Sequence, residues 1–216
     1  MNWRSIWAIA RKDLKEVRQN KIAWGPAIAI PLIFAVVMPI LFAALPQVMP
    51  VEDIQRELGD MDALLNNLPP AIRETFEGLK LEQMFVLYMT AFMLAPMFLI
   101  MPLMFSTVVG ADSFVGERER KTMEALLYSP ATDMELFLGK ALAAVIPAIS
   151  LSWLTYLVYI IIVNVASFNL FGRIWFPLPA WWPLMFWLTP AFAVLGISAT
   201  VMISARVKTF MEAYQL

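Results

Sequence analysis

Charged residues are absent from four long apolar stretches of the chain. These stretches are residues 22–51, 83–111, 141–172 and 174–205. Each holds about 30 residues, whereas a helix needs only about 20 apolar residues to cross the hydrocarbon of a bilayer. The pattern predicts an all-α, polytopic membrane protein with four transmembrane helices. We place these spans at about 22–45, 84–109, 136–165 and 183–203.

The composition favours the same class. Hydrophobic residues make up 61% of the 216 positions and charged residues 15%, whereas a soluble domain is about half apolar and about a quarter charged. A soluble helical core would leave too little polar surface to cover the four stretches. We therefore take residues 22–216 as one transmembrane domain, with an outer helical segment at 46–82 and an inner loop at 112–135.

The N-terminal residues 1–21 predict an amphipathic connecting helix. One helical face carries the apolar residues Trp3, Ile6, Trp7, Ala10, Leu14 and Val17. Tryptophan on the apolar side and bases elsewhere are typical of a helix lying in the membrane interface. The candidate interfacial residues are Trp3, Trp7, Arg11, Lys12 and Lys15. The helix is either a topogenic anchor alone or also a surface for a cytoplasmic partner.

Smaller signals predict the connections between the spans. A short amphipathic helix is predicted by the spacing of its apolar residues, Ile54, Leu58, Met61, Leu64 and Leu65. Residues 72–81 favour a second helix. Thr132 and Glu135 have the spacing of a capping box at the start of the third span. A turn is expected at residues 169–173. Four tryptophans after it predict an outer aromatic belt: Trp175, Trp181, Trp182 and Trp187.

The distribution of bases predicts the orientation. Of the 16 Lys and Arg residues, twelve lie before the first span, in the loop after the second, or after the fourth. The other two connections hold only four. Because bases are retained on the inner side, we predict a multi-pass protein of the plasma or inner membrane whose N-terminus is cytoplasmic.

The residue types present exclude much catalytic and metal chemistry. The chain has no cysteine and no histidine, so zinc-protease motifs, Ser-His dyads and Cys-His pairs are impossible. We expect no catalytic residue, no metal and no cofactor of the chain itself. The net charge of -1 gives no reason to expect a nucleic-acid partner. A membrane enzyme working through Asp112 or Glu117 is the least favoured reading.

Residues 110–130, GADSFVGERERKTMEALLYSP, carry the densest charge between two spans. Apolar positions among the charges predict a short helix, which ends before Pro130 because a residue preceding proline resists the helical region. Charges of both signs suit a protein partner better than an anionic lipid surface. The alternative is a solvated turn that only connects two helices.

This loop resembles the signature of ABC-2-type transporter permeases. The matching string is GERERKTMEALLYSP, followed by Glu135 and the Gly139–Lys140 pair, and residues 10–16 resemble the basic connecting helix of the family. Lys121 stands where many members have glycine. The resemblance covers residues 8–30 and 105–145. Family members usually have six spans, so a chain with four predicts an incomplete permease.

The resemblance implies a function. The loop helix would dock on a separate nucleotide-binding ATPase subunit, and the N-terminal helix would press on the same partner. The implied coupling residues are Glu117, Arg118, Glu119, Arg120, Lys121, Thr122 and Glu124. The chain would be the permease subunit of an exporter, paired with a second permease copy as a homodimer or heterodimer, while the ATPase subunit binds ATP.

The residues independently favour an external source of energy. Ion-coupled transporters usually keep ionisable residues inside their spans, and the four charge-free stretches have none. The chain also lacks the G-x-x-x-x-G-K-[ST] phosphate loop. The alternative function is a channel or scaffold of the same topology that is not coupled to ATP. Serine and threonine hydroxyls in the spans identify neither a pathway nor a substrate.

Overall fold

A computed structural model describes residues 2–19, 28–59, 69–116 and 131–204, and these residues form helices and turns without a strand. The helices are α1 (Trp3–Gln19), α2 (Ile28–Val48), α3 (Val51–Leu58), α4 (Pro70–Arg73), α5 (Leu81–Phe114), α6 (Asp133–Phe171) and α7 (Trp181–Ser204). Within these ranges four helices, α2, α5, α6 and α7, are long and apolar enough to cross a membrane. The predicted all-α polytopic fold is confirmed.

Helix α6 is longer than the span predicted for it. It has 39 residues, or about 58 Å of helix, and therefore exceeds the roughly 30 Å of hydrocarbon. Its end is set by Gly172, which has a φ of +65° and donates its N–H to the carbonyl of Phe168 at 2.8 Å. Glycine adopts this left-handed conformation without steric cost. The turn expected at residues 169–173 thus begins only at Gly172.

Prolines shape three of the spans. Widened π-helical turns occupy Ile33–Val37, Tyr88–Met93 and Leu184–Leu188. Each lies two or three residues before a proline: Pro39, Pro96 and Pro190. Proline has no N–H to donate to the preceding turn and its ring crowds the carbonyl four residues back, so the turn before it widens instead of closing regularly.

The described residues form two compact units. Unit 1 comprises the described residues within 1–31, 97–155 and 182–216, and unit 2 those within 32–96 and 156–181. The core of unit 1 contains Val17 of α1 and the following residues of α5, α6 and α7: Phe105, Val109, Ala144, Ala148, Ala193 and Ile197. The connecting helix is thus part of the core of unit 1.

In unit 2, α3 packs on α5. Ile54 of α3 is fully buried against Phe85, Val86 and Met89 of α5. Leu58, also predicted, is the last residue of α3. The other predicted apolar positions, Met61, Leu64 and Leu65, lie outside the described residues. The expected second helix at 72–81 was wrong. Only one helical turn, Pro70–Arg73, forms there, and turns lead from it to the start of α5.

Trp181 belongs to the core of unit 2 and not to an exposed aromatic belt. Its side chain is 2% exposed. The ring stacks on Tyr156 at a centroid distance of 5.6 Å, and its indole N–H donates to the carbonyl of Ala91 at 3.0 Å. Trp187, by contrast, is 81% exposed. The sequence pattern did not separate these two tryptophans because both follow the same proline-rich turn.

Asn164 of α6 holds the segment that follows this helix. Its amide N–H donates to the carbonyl of Phe176 at 2.7 Å. Its amide oxygen accepts the N–H groups of Trp175 at 3.0 Å and Phe176 at 3.2 Å. One buried side chain therefore satisfies three backbone groups that have no helical partner.

We expect Asn164→Leu to lower the free energy of unfolding by about 2–4 kcal/mol. Leucine has a similar volume but leaves three buried backbone groups unpaired, and each such group costs about 1–3 kcal/mol. Thermal unfolding of the detergent-solubilised chain measures the change. Asn169→Leu is the matched control, because Asn169 is an exposed residue of the same helix. Equal stability of the two variants would contradict the role assigned to Asn164.

Candidate functional site

Helix α1 buries a face that carries one charge. Ile6, Ala10 and Val17 are 0%, 0% and 6% exposed, and Asp13 is 2% exposed. Spacings of three and four residues place all four on one side of the helix. A carboxylate at the centre of this face cannot be buried without a partner, because an unpaired buried charge is very costly.

The partners of Asp13 come from α5 and α6, within unit 1. The hydroxyl of Ser113 donates to Asp13 Oδ2 at 2.7 Å. Lys140 Nζ lies 3.6 Å from the same oxygen, and the Lys140 and Asp13 side chains are each 3% exposed. Lys12 Nζ lies 3.4 Å from the other oxygen, Oδ1. We call Asp13, Ser113 and Lys140 the ionic junction.

Lys140 is held by more than its ion pair. Its ammonium donates to the carbonyl of Ser113 at 2.7 Å and lies 3.4 Å from the Ser113 hydroxyl. The Phe114 ring centroid is 5.5 Å from Nζ, within the range of a cation–π interaction. A buried ion pair depends on further hydrogen bonds to its charges. Ser113 donates one to Asp13 Oδ2 and accepts one from Lys140.

Gly139 explains how α1 approaches α6 so closely. A Cβ atom at this position would lie 2.7 Å from Ile9 Cγ2 and 3.0 Å from the carbonyl oxygen of Ile6. Any side chain larger than hydrogen would push α1 away from α6. The Gly139–Lys140 pair therefore has two physical roles in unit 1: the glycine admits the helix, and the lysine binds its carboxylate.

The start of α6 is tied to the other end of α1. The predicted capping box is confirmed, since Thr132 Oγ1 accepts the N–H of Glu135 at 3.4 Å and Glu135 accepts the N–H of Thr132 at 3.2 Å. The Glu135 carboxylate also accepts the backbone N–H of Asn2. Glu135 precedes the charge-free stretch. The N–H groups of Asn2 and then Thr132 hold the pKa of its carboxyl below the usual range.

Both ends of the candidate coupling loop are thereby connected to α1. Ser113 lies four residues before Glu117 in the chain, and Thr132 lies two residues after Pro130. Asp13 binds the first of these ends, and the backbone of Asn2, through Glu135, binds the second. If the two ends of the loop move within unit 1, they must therefore either carry α1 with them or break these bonds.

The predicted site residues divide into two groups. The coupling residues Glu117, Arg118, Glu119, Arg120, Lys121, Thr122 and Glu124 lie outside the described residues. The candidate interfacial residues all lie on α1 and are exposed, with Trp3 at 63% and Trp7 at 50%. The buried face of α1 is thus narrower than the predicted apolar face, and it excludes both tryptophans.

Sequence reasoning missed Asp13 as a buried residue. The available signal was its position three residues after Ala10 and four before Val17, on the side where Ile6 also lies. Its partner Lys140 is 127 positions away in the sequence, and no local pattern connects the two residues.

Several hydroxyls of the spans donate to carbonyls of their own helices. Thr90, Ser152 and Thr200 donate to the carbonyls four residues before them, at 2.6, 2.8 and 3.0 Å. Ser106 and Thr107 both donate to the carbonyl of Leu103. Such bonds are ordinary in membrane helices, so these hydroxyls mark helix packing and do not outline a polar pathway.

Comparison with known proteins gives one match. The family model described as "ABC-2 family transporter protein" matches residues 7–216, which include every residue of the ionic junction. No curated protein and no solved structure matches the chain.

The ionic junction yields a prediction on stability. We expect Lys140→Met to lower the free energy of unfolding by about 3–5 kcal/mol, because it leaves a buried carboxylate without its buried counterion. Asp13→Leu combined with Lys140→Met should cost less than the two single changes added together, with a coupling energy of about 1–3 kcal/mol. Thermal unfolding of the four proteins in one detergent measures the cycle.

The control for this cycle is Glu16→Gln. It removes a salt bridge of 3.3 Å between Lys12 and Glu16, whose side chains are 43% and 51% exposed, and should change stability by at most about 0.5 kcal/mol. Strictly additive single changes at Asp13 and Lys140 would show that the junction does not act as a unit.

Proposed function

Because the chain belongs to the ABC-2 family of transporter proteins, matched over residues 7–216, we propose that it is a membrane-spanning permease subunit coupled to a separate ATPase subunit. In this proposal the transport direction is export, and a second permease copy completes the pathway. ATP binds to the partner subunit, and this chain has no catalytic residue. The family match is the observation that carries the proposal.

The ionic junction supports a role of the loop in coupling. The proposed docking residues, Glu117 to Thr122 and Glu124, lie between two described segments that each bind α1. A loop that served only as a solvated turn would not need attachments on both sides to a third helix, one of them buried. With these attachments, a push from the ATPase subunit on the loop reaches α5, α6 and α1 together.

The absence of charge from the apolar stretches supports ATP as the source of energy. No Asp, Glu, Lys or Arg occurs at 83–111 or 141–172, the stretches within α5 and α6 on either side of the loop. A proton- or sodium-coupled carrier needs ionisable groups at such depth. Lys140, near the start of α6, is engaged in an ion pair with Asp13.

The orientation belongs to the same proposal. Docking of a cytoplasmic ATPase requires the loop, the N-terminus and the C-terminus to face the cytoplasm, as the excess of bases on these segments indicates. The segment at 46–82 then faces outward. We propose the plasma or inner membrane as the location.

Charge reversal in the loop tests the coupling. Arg118→Glu and Glu124→Arg should each weaken association with the ATPase subunit by about tenfold or more, because like charges brought together at an interface cost several kcal/mol. The permease-dependent part of the ATPase activity should fall in parallel, while insertion into the membrane is unchanged. Copurification and ATPase assays on reconstituted complexes give both values.

Arg73→Glu is the matched control, since Arg73 is an exposed base of the outer segment and should leave both values unchanged. Normal association and normal coupled ATPase activity in the two loop variants would overturn the coupling assignment. An ATPase that never copurifies with the wild-type chain would favour the uncoupled channel or scaffold.

The orientation has its own test, made simple because the chain contains no cysteine. We expect Glu74→Cys to react with a membrane-impermeant maleimide in intact cells, and Lys15→Cys to react only after permeabilisation. Both residues are exposed in the structure, so accessibility depends only on the side of the membrane. The opposite labelling pattern would reverse the proposed topology.

A further inference from the structure

Helix α1 has an exposed aromatic side next to its buried face. Ile6, Ala10, Asp13 and Val17 point into unit 1, and the two tryptophans are left outside, with Trp3 63% and Trp7 50% exposed. Large aromatic side chains are costly to leave in water. Their amphipathic rings are, however, suited to the headgroup level of a membrane.

A row of bases runs beside these tryptophans. Arg4, Arg11 and Arg18 repeat at seven-residue intervals, which correspond to two helical turns, and all three are exposed. Trp7 lies four residues before Arg11, on the adjoining position of the helix surface. We call Trp3, Trp7, Arg4, Arg11 and Arg18 the basic aromatic face.

This face carries charge of one sign only. The sequence of α1 contains two acidic residues, Asp13 and Glu16. Asp13 is buried in the ionic junction, and Glu16 pairs with Lys12 at 3.3 Å on another side of the helix. The pairing of both carboxylates elsewhere leaves the three arginines without an acidic neighbour from their own helix.

The charge of the basic aromatic face and the position of α1 indicate which ligand this face binds. Residue 22, where the first charge-free stretch begins, follows the end of α1 at Gln19 by only three positions, so α1 lies close to the membrane surface. A single-signed face with tryptophan suits anionic headgroups. The loop at 117–124, with both signs, suits a protein partner.

We propose that the basic aromatic face binds the phosphate groups of anionic phospholipids, with Trp3 and Trp7 inserted among the headgroups. The adjacent buried face of α1 remains engaged by Lys140 and Gly139 in unit 1. The inference goes beyond the proposed function, because it assigns α1 a lipid ligand and not the ATPase subunit.

The test uses the full chain in nanodiscs of phosphatidylcholine and measures the association of spin-labelled phosphatidylglycerol against spin-labelled phosphatidylcholine. We expect the wild-type chain to prefer phosphatidylglycerol by about fivefold or more, the factor that one base near an anionic surface contributes. The triple variant Arg4→Gln, Arg11→Gln, Arg18→Gln should lose most of this preference. Raising the salt from 0.1 M to 1 M should also reduce it, because the Debye length falls from about 10 Å to about 3 Å.

A control variant removes three bases from the outer segment: Arg56→Gln, Arg73→Gln and Lys80→Gln. These side chains are also exposed, so the loss of charge is matched. The control should keep the lipid preference of the wild type. Preference retained by the α1 variant, or lost equally in the control, would overturn the proposal.

A second measurement separates lipid from protein. Association with the ATPase subunit is measured in phosphatidylcholine discs, and the α1 variant should bind that subunit as the wild type does. If the α1 variant bound the ATPase subunit more weakly and kept its lipid preference, the basic aromatic face would be a protein interface and the proposal would be wrong. The lipid measurement itself contains no ATPase, so its failure leaves the proposed function untouched.

Discussion

The burial of Lys140 is the constraint that organises unit 1. An ammonium group that is 3% exposed has lost its water, and only a carboxylate with additional hydrogen-bond partners can compensate. Asp13 and Ser113 provide these from two other helices. The charge can be satisfied only where α1, the end of α5 and the start of α6 meet. Gly139, one residue earlier, removes the side chain that would prevent this meeting.

The same constraint shapes the proposed coupling. A buried ion pair has few alternative arrangements, because displacing either charge exposes both to a low-dielectric surrounding. The two stems of the loop are therefore more tightly tied to α1 than apolar packing alone would achieve. Such a joint transmits a push as a rigid movement of three helices, and it does so without placing an ionisable group deep in the spans.

How much the sequence predicted depends on how local each signal is. The four spans follow from runs of about 30 uncharged residues, and the box formed by Thr132 and Glu135 follows from a three-residue spacing; both are confirmed. Asp13 escaped prediction because its burial depends on a lysine 127 positions away. Trp181 was misassigned to a belt because its partners, Tyr156 and Ala91, lie on other helices. The coupling residues remain a prediction.

The rotation of α1 links the two surfaces of this helix. If the apolar face had included Trp3 and Trp7, burying it would have turned Asp13 towards solvent and left Lys140 without its counterion. Burial of Asp13 instead turns both tryptophans outward and removes one of two carboxylates from the exposed surface. The charge balance of that surface is therefore a consequence of the ionic junction. A change at Asp13 would therefore alter the exposed surface of α1 as well as its packing on α6.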